Sequence, residues 1–275
     1  FCKKNIAYFL TLNQETVIMK DLTLFRKSIF GLLVLFLGAA SFSSCLKDNG
    51  DNSQTPAAGL MAFNLSPNAS SIGFALSGNS LTNTPLSYTN YTGGYLGVYS
   101  GARSIVAFDA STGNTLASSD YTFDQDKYYS LFLVGDTVYQ NIVVKDNIDT
   151  LPGVSGVAYV RYINAIDGLE NPMVKISQGG NDVVNNAAAF GSVSDFAAVT
   201  PGQFTINISS NDVPQAERAI TAEERKVYTA LLIGKPDASD TAKTIRIKYI
   251  ENGTLSADST GSGVGRVNGR VIAIH

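Results

Sequence analysis

A stretch of about 100 residues occurs twice in this chain, and this duplication constrains the fold more than any other feature of the sequence. Three short blocks recur in the same order, at offsets of 100, 101 and 99 residues. Their first copies begin at Leu60, Tyr95 and Tyr129, and their second copies begin at Val160, Phe196 and Tyr228. Because three blocks keep a near-constant register, we expect two copies of one structural unit.

Each copy consists of short segments with the alternation of a β-strand. Residues 72–77 alternate between large apolar and small side chains, and residues 204–208 between apolar and polar ones. Turns rich in Gly, Asn, Asp and Ser separate such segments. Seven strands per copy predict an all-β protein with two tandem immunoglobulin-like β-sandwich domains. The chain has no Trp, so this is a prediction of architecture without the immunoglobulin Cys–Trp–Cys signature.

The predicted strands of the first copy are 59–64, 72–77, 95–99, 103–109, 115–123, 128–134 and 138–145. Those of the second copy are 158–164, 173–177, 194–199, 203–209, 217–221, 227–234 and 244–251.

The N-terminal part has the features of a bacterial lipoprotein signal peptide. Lys20, Arg26 and Lys27 precede the apolar run 29–40, and small residues then lead to Cys45. The run is shorter than the roughly 20 residues that span a membrane, but it has the length of a signal-peptide core. We expect cleavage before Cys45 and lipidation of its thiol. A non-cleaved anchor helix or a buried core helix is the alternative, and neither explains a cysteine at this boundary.

These features divide the chain into six parts. They are an upstream segment with a misassigned start (1–18), the lipoprotein signal peptide (19–44), a flexible tether (45–57), β-sandwich repeat 1 (58–150), β-sandwich repeat 2 (156–253) and a polar tail with one more predicted strand (254–275). Whether that last strand pairs with repeat 2 is left open.

The charge of the chain indicates its surroundings. Without residues 1–44 the net charge is (20 − 5) − (23 − 2) = −6, which does not favour nucleic acid as a partner. Cys2 leaves with the leader and Cys45 is acylated, so no disulfide is expected. We expect attachment to the outer membrane of a Gram-negative bacterium through the N-terminal lipid. The protein then faces the cell surface, with the periplasmic face as the alternative.

The second copy carries motifs that resemble a known family. Residues 159–165, 199–202 and 228–234 are similar to the domain of unknown function 4397 family. This resemblance implies tandem β-sandwich repeats in a secreted or lipid-anchored bacterial protein. It implies no activity and no catalytic residues.

The sequence offers little catalytic chemistry. The only histidine is His275, so neither a Ser-His-Asp triad nor a histidine-based zinc site is expected. No cofactor, metal site or catalytic residue is predicted. Residues 124–126 and 146–149 carry carboxylates that could bind calcium, but they lack the loop of an EF-hand, and solvated turns are the preferred interpretation.

Three groups of polar residues are candidates for other roles. Tyr88, Tyr91, Tyr95, Tyr99, Tyr128, Tyr129 and Tyr139 form either a sugar-stacking platform or, as we prefer, part of the sandwich packing. Asn64 and Asn164 each end a first strand, and their amides are expected to cap turn backbone groups. Asp-Thr and Asp-Ser tripeptides resemble an O-glycosylation pattern of exported bacterial proteins, which makes Thr137, Thr150, Thr241 and Ser259 candidate sites.

The sequence therefore predicts a lipid-anchored, non-catalytic module for binding, adhesion or structure, whose ligand is a glycan or a protein. A glycan-binding accessory lipoprotein of a polysaccharide-uptake system is the first alternative. A carboxylate-dependent hydrolase is the second, because glycosidase chemistry needs only two carboxylates.

Overall fold

The structure is a computed structural model, and it describes residues 57–236 and 238–257 and the backbone of Ile272 and Ala273. These residues form strands and two short 3₁₀ turns, at 148–150 and 241–243, which confirms the predicted all-β fold. The leader, Cys45 and the predicted upstream segment lie outside the described residues. Within the described part of the chain, no helix is long and apolar enough to cross a membrane.

The strands of repeat 1 are β1 (Ala57–Asn64), β2 (Ser71–Leu76), β3 (Asn79–Ser80), β4 (Leu86–Ser87), β5 (Leu96–Tyr99), β6 (Gly101–Asp109), β7 (Thr115–Phe123), β8 (Tyr128–Val134) and β9 (Gln140–Lys145). The strands of repeat 2 are β10 (Ala158–Ile166), β11 (Met173–Gln178), β12 (Asn181–Ala187), β13 (Ala197–Val199), β14 (Gly202–Ser210), β15 (Val213–Ala222), β16 (Lys226–Gly234) and β17 (Arg246–Thr254). A last strand, β18, is Ile272–Ala273.

The two repeats have the same sheet topology. In repeat 1 an inner sheet has the order β18-β5-β1-β8-β9 and an outer sheet the order β3-β2-β6-β7, with β4 also paired to β2. In repeat 2 the inner sheet is β13-β10-β16-β17 and the outer sheet is β12-β11-β14-β15. The central pairs of the inner sheets, β1 with β8 and β10 with β16, are parallel. The other pairs of the inner sheets are antiparallel, apart from the short β18 beside β5.

Each repeat is a sandwich, as predicted, but its strand order differs from that of an immunoglobulin domain. An immunoglobulin sandwich places its first strand beside its second, in sheets ABED and CFG. Here the first strand lies between β5 and β8 in repeat 1, and between β13 and β16 in repeat 2. The reason is visible in its sequence: residues 58–64 of β1 are all buried. A strand that is apolar on both faces is stable at the centre of a sheet that is covered on both sides.

The two inner sheets pack against each other, and we call this interface the seam. Alternate residues of each central strand point to the core of their own sandwich, as Leu60 and Ala62 do in repeat 1. The residues between them point into the seam, where Met61 and Phe63 belong to the same apolar cluster as Ile163 and Leu231 of repeat 2. The central strands of the inner sheets are therefore buried on both faces.

The predicted strands agree with the observed ones except at the edges of the sheets. The sequence prediction missed β12, since Asn181–Ala187 is polar and mostly exposed at the edge of its sheet. It also missed the two-residue strands β3 and β4. The strand predicted in the tail is present as β18, and it pairs in parallel with β5 of repeat 1.

Candidate functional site

A buried ion pair between the repeats is the most distinctive polar feature of the described residues. Arg161 lies on β10 and Asp146 directly follows β9, and their side chains are 2 % and 0 % exposed. Nη2 of Arg161 donates to Oδ1 of Asp146 over 2.6 Å. The same nitrogen donates to the hydroxyl of Ser130 at 3.0 Å, and Nε donates to the hydroxyl of Thr229 at 3.1 Å. The seam thus holds a charge from each repeat in a neutral pair.

Further hydrogen bonds satisfy the second carboxylate oxygen. Oδ2 of Asp146 accepts from the hydroxyl of Tyr95 at 2.5 Å and from that of Ser130 at 2.9 Å. The amide of Asn252 donates to the oxygen of Tyr95 at 3.2 Å and accepts from Thr229 at 2.6 Å. Because buried polar groups cost free energy when they lack partners, this closed network makes the polar seam tolerable.

The network is built from equivalent positions of the two repeats. Ser130 corresponds to Thr229 at the offset of 99, and Tyr95 corresponds to Phe196 at the offset of 101. Since Lys145 pairs with Tyr129 and Glu251 with the equivalent Tyr228, the next residues, Asp146 and Asn252, are equivalent as well. The seam is therefore pseudo-symmetric in its hydroxyls, its amide or carboxylate, and its aromatic rings.

Arg161 breaks this symmetry. Its counterpart at the offset of 100 is Met61, which packs in the apolar part of the seam. The guanidinium carbon of Arg161 lies 4.5 Å from the centre of the Phe196 ring, a cation–π contact. One arginine thus satisfies the single carboxylate, while the equivalent positions of the other repeat stay neutral.

The environment of Tyr95 makes its hydroxyl hard to ionise. Burial raises the pKa of Tyr95 well above its usual value, and the negative charge of Asp146 raises the pKa further. Tyr95 therefore remains a hydrogen-bond donor to Asp146 throughout the neutral pH range.

A cleft opens where this network approaches the surface. It has a volume of about 250 Å³, and Arg161 and Asp146 form part of its lining. Its other lining residues come from the end of β9 and the turn after it, and from the loop before β13. They are Val144, Lys145, Asn147, Thr150, Leu151, Val193, Ser194, Asp195 and Phe196. Both repeats are needed to form it.

Some side chains that line the cleft already form hydrogen bonds within the protein, and others do not. Lys145 donates to Asp124 at 2.9 Å, and this hydrogen bond raises the pKa of the lysine. The hydroxyl of Ser194 accepts from the backbone N–H of Tyr162. The side chains of Asn147 and Asp195 are exposed and form no hydrogen bond or ion pair with other described residues. These two are available for a ligand.

The predicted modification sites lie at several places on the surface. Cys45 and Ser259 lie outside the described residues. Thr137, Thr150 and Thr241 are all exposed, and Thr150 lines the cleft. Lipidation at Cys45 and O-glycosylation at these hydroxyls stay predictions.

The seven tyrosines do not lie on one platform. Tyr129 is in the core of the first sandwich, Tyr95 is in the seam, and Tyr91 stacks on Phe63 there with ring centres 5.3 Å apart. Tyr99 is 53 % exposed. The positions of Tyr129, Tyr95 and Tyr91 agree with the packing interpretation, whereas Tyr99 lies at the surface. The hydroxyl of Tyr95 points into the seam instead of to the rim.

The two equivalent asparagines act as predicted. The amide of Asn64 donates to the carbonyl oxygens of Ala69 and Leu86, at 2.6 and 3.0 Å. The amide of Asn164 donates to the carbonyl oxygen of Ala188 at 2.9 Å, and its oxygen accepts from the N–H of Ile166 at 3.1 Å. Both side chains are fully buried, so they cap backbone groups that water does not reach.

The preferred interpretation of residues 146–149 as a solvated turn is wrong for Asp146. Its carboxylate is buried and paired with Arg161, because the second repeat covers it. The described residues contain no cluster of three or more acidic, His or Cys side chains that could hold a metal ion. A sequence signal for this site does exist: Arg161 is the one charged residue of β10, a strand whose nine residues are all buried.

Comparisons with known proteins give one family match. Residues 58–171 match the family described as Domain of unknown function (DUF4397), which confirms the resemblance over that segment. The segment contains repeat 1 and β10 with the turn after it, whereas the sequence motifs came mainly from repeat 2. A comparison with curated proteins found no match.

Several solved structures show weak similarity. A family 26 carbohydrate-binding module from Eubacterium rectale Amy13K, solved with maltoheptaose, is 13 % identical with a TM-score of 0.23, covering 73 % of this chain and 98 % of that one. A structure described as α-glucan recognition by family 41 carbohydrate-binding modules from streptococcal virulence factors is 9 % identical, with a TM-score of 0.21. The match covers 69 % of this chain and 95 % of that one. A leucine-rich repeat protein from Bacteroides thetaiotaomicron is 10 % identical, with a TM-score of 0.18. The match covers 66 % of this chain and 27 % of that one. TM-scores this low do not establish a shared fold.

Proposed function

Since residues 58–171 match the DUF4397 family, we propose that this protein is a lipid-anchored, non-catalytic module of the bacterial cell envelope. Its tandem sandwiches act as one body for binding, adhesion or structure. The observation that carries this proposal is the seam, in which an apolar cluster and a buried ion pair join the two repeats.

The seam supports a single rigid body. Side chains of both repeats share one apolar cluster, which includes Phe63, Phe132, Ile163 and Leu231. Separating the repeats would expose these side chains to water, at a free-energy cost of about 25 cal/mol for each Å² of apolar surface. It would also break the hydrogen bonds of Arg161. A rigid pair of modules holds a ligand surface at a fixed distance and orientation from its anchor.

The use of the buried carboxylate supports a non-catalytic role. Asp146 is the most buried carboxylate among the described residues, which would make it the natural candidate for a general acid or base. Arg161, Ser130 and Tyr95 already occupy its oxygens. Both oxygens of this carboxylate are therefore engaged by protein donors, as in a structural ion pair.

The anchor is tested at its cysteine. In a Gram-negative host fed with a traceable fatty acid, we expect the label on the wild-type protein and none on Cys45→Ala. Ser53→Ala is the matched control, because it is a small substitution in the predicted tether that follows Cys45, and it should keep the label. A label that survives Cys45→Ala, or a wild-type protein found free in the medium, contradicts the proposal.

The outward orientation is tested by adding protease to intact cells. We expect the repeats to be cleaved on intact cells and an internal periplasmic marker protein to survive. Cleavage only after the outer membrane is opened would place the protein on the periplasmic face.

The absence of catalysis is tested with the purified full chain, which should give no turnover of polysaccharides or peptides. Turnover that is abolished by one carboxylate substitution would establish an enzyme instead.

A glycan-binding accessory role in polysaccharide uptake is the second candidate. The cleft between the repeats favours it, because this cleft is lined mainly by polar side chains and needs both repeats.

A further inference from the structure

The cleft between the repeats carries an inference about the class of its ligand, and it rests on the proposed binding function. We propose that the cleft binds a single neutral saccharide ring, with the side chains of Asn147 and Asp195 as its free hydrogen-bonding groups.

The charges around the cleft favour a neutral ligand. Its lining contains two cations, Lys145 and Arg161, and two anions, Asp146 and Asp195. Arg161 and Asp146 neutralise each other at 2.6 Å. Lys145 is also paired with Asp124 at 2.9 Å, so an anionic ligand gains little attraction from it and is repelled by the exposed Asp195. A cationic ligand attracted by Asp195 would in turn meet the ammonium of Lys145. A ligand without charge meets neither penalty.

The hydrogen-bonding groups favour a ligand that both donates and accepts. The carboxylate of Asp195 accepts only, the ammonium of Lys145 donates only, and the amide of Asn147 does both. All three line the cleft. A sugar hydroxyl both donates and accepts, so neighbouring hydroxyls of one ring satisfy this mixed set.

The rest of the lining fits the carbon skeleton of a sugar. Val144, Leu151, Val193 and Phe196 give the cleft apolar surface beside its polar groups. The C–H faces of a pyranose ring are apolar and its rim is polar, which matches this division. The volume of about 250 Å³ is below the roughly 300–1,000 Å³ of pockets for drug-sized ligands. One ring, such as the terminal residue of a glycan, fits this size better than an extended chain.

Two variants remove the free groups without disturbing the seam. Asn147 has φ 48°, in the left-handed region, so Asn147→Gly removes the amide and keeps a backbone conformation that glycine adopts readily. Asp195→Ala removes an exposed carboxylate that has no partner among the described residues. Glu217→Ala is the matched control, because Glu217 is also exposed and lies on β15, away from the cleft lining.

The experiment uses the full chain, extracted in detergent from the membranes of its host. Binding is measured on arrays of neutral glycans, acidic glycans and short peptides, and then by calorimetry with the best neutral glycan. We expect saturable binding of a neutral glycan, weakened about tenfold or more by Asn147→Gly and by Asp195→Ala, and unchanged by Glu217→Ala. High salt should leave the affinity unchanged, since a neutral ligand is not screened.

Three results would overturn the proposal: no saturable binding of any neutral glycan, binding that neither cleft variant weakens, or cleft-dependent binding of charged glycans or peptides only. The last result would leave the proposed binding module intact and change only its ligand class. Loss of the lipid anchor is read from the fatty-acid label at Cys45, so failure of the proposed function and failure of the saccharide inference are measured separately.

Discussion

The guanidinium of Arg161 and the carboxylate of Asp146 lie 2.6 Å apart in the interior of the molecule, and they come from different repeats. Each charge is removed from water by the repeat that carries the other. The pair therefore exists only when the two sandwiches are docked in this one arrangement.

Removing one member of this pair should be strongly destabilising. Arg161→Met introduces the residue that repeat 1 has at the equivalent position, Met61, but it leaves Asp146 charged and buried. We expect a loss of about 3–5 kcal/mol in the free energy of unfolding, measured by urea denaturation. Adding Asp146→Asn, which copies the equivalent Asn252, should recover part of the loss because no buried charge remains. Arg103→Met is the control, because Arg103 lies on the outer sheet of repeat 1, and it should change the free energy of unfolding little. Equal losses of stability at the two arginines would contradict this interpretation of the seam.

Alkaline pH should weaken the seam through Tyr95. The pKa of Tyr95 is raised in the folded protein by burial and by Asp146, while the unfolded chain ionises near pH 10. Between the unfolded and the folded pKa, the unfolded chain binds fewer protons, so stability falls as pH rises above about 10. Urea midpoints measured from neutral to alkaline pH should fall less steeply for Tyr95→Phe, although this variant loses the hydrogen bond to Asp146 at every pH. An unchanged slope would contradict the prediction.

The two buried asparagines should contribute similarly in the two repeats. Asn64→Ala and Asn164→Ala each leave buried backbone groups without partners, and we expect a loss of about 1–3 kcal/mol per variant. Amide hydrogen exchange should show faster opening around the substituted turn. Asn181→Ala, at an exposed position of β12, should change stability little. A matching small effect at Asn64 or Asn164 would mean that water replaces the amide.

Two equivalent glycines should be intolerant of any side chain. Gly135 and Gly234 follow the same sequence block in the two repeats, with φ of +101° and +105°. A Cβ there would lie 2.0 Å from the carbonyl oxygen of Val138 and 2.3 Å from that of Thr244, respectively. Gly135→Ala or Gly234→Ala should therefore cost about 3 kcal/mol, at the upper end of backbone strain. Gly113→Ala is the control, because φ is +76° there but no atom lies within 4 Å of an added Cβ. It should lower the free energy of unfolding by only about 1–2 kcal/mol. Equal losses at all three glycines would show that backbone strain alone, without the steric clash, decides the effect.

The exposed hydroxyls give a prediction about modification. Thr137, Thr150 and Thr241 are exposed, so a glycosylating enzyme can reach them. The intact mass of the native protein should exceed that of the lipidated chain by whole glycans, and a triple Thr→Ala variant should lose these increments, apart from any at Ser259. A native mass that shows only the lipid would remove the hypothesis.

The repeat and its strands could be predicted from the sequence because they are local. Alternation of side chains, turn residues and constant offsets depend on neighbouring positions, and strands such as Thr115–Phe123 and Tyr128–Val134 were predicted at their observed bounds. The capping role of Asn64 and Asn164 also followed, since an amide at a strand end acts on nearby backbone. Polar edge strands such as Asn181–Ala187 were missed because one exposed edge leaves almost no hydrophobic pattern.

The sequence by itself determined that two similar all-β units are present, because hydrophobic alternation is written into each strand. Only the tertiary structure decided that their inner sheets face each other, that Asp146 is buried against Arg161, and that the cleft lies at this interface. The physical reason is that these contacts join residues from separate repeats whose partners are set by docking. A carboxylate after a strand looks like a solvated turn until the second repeat covers it.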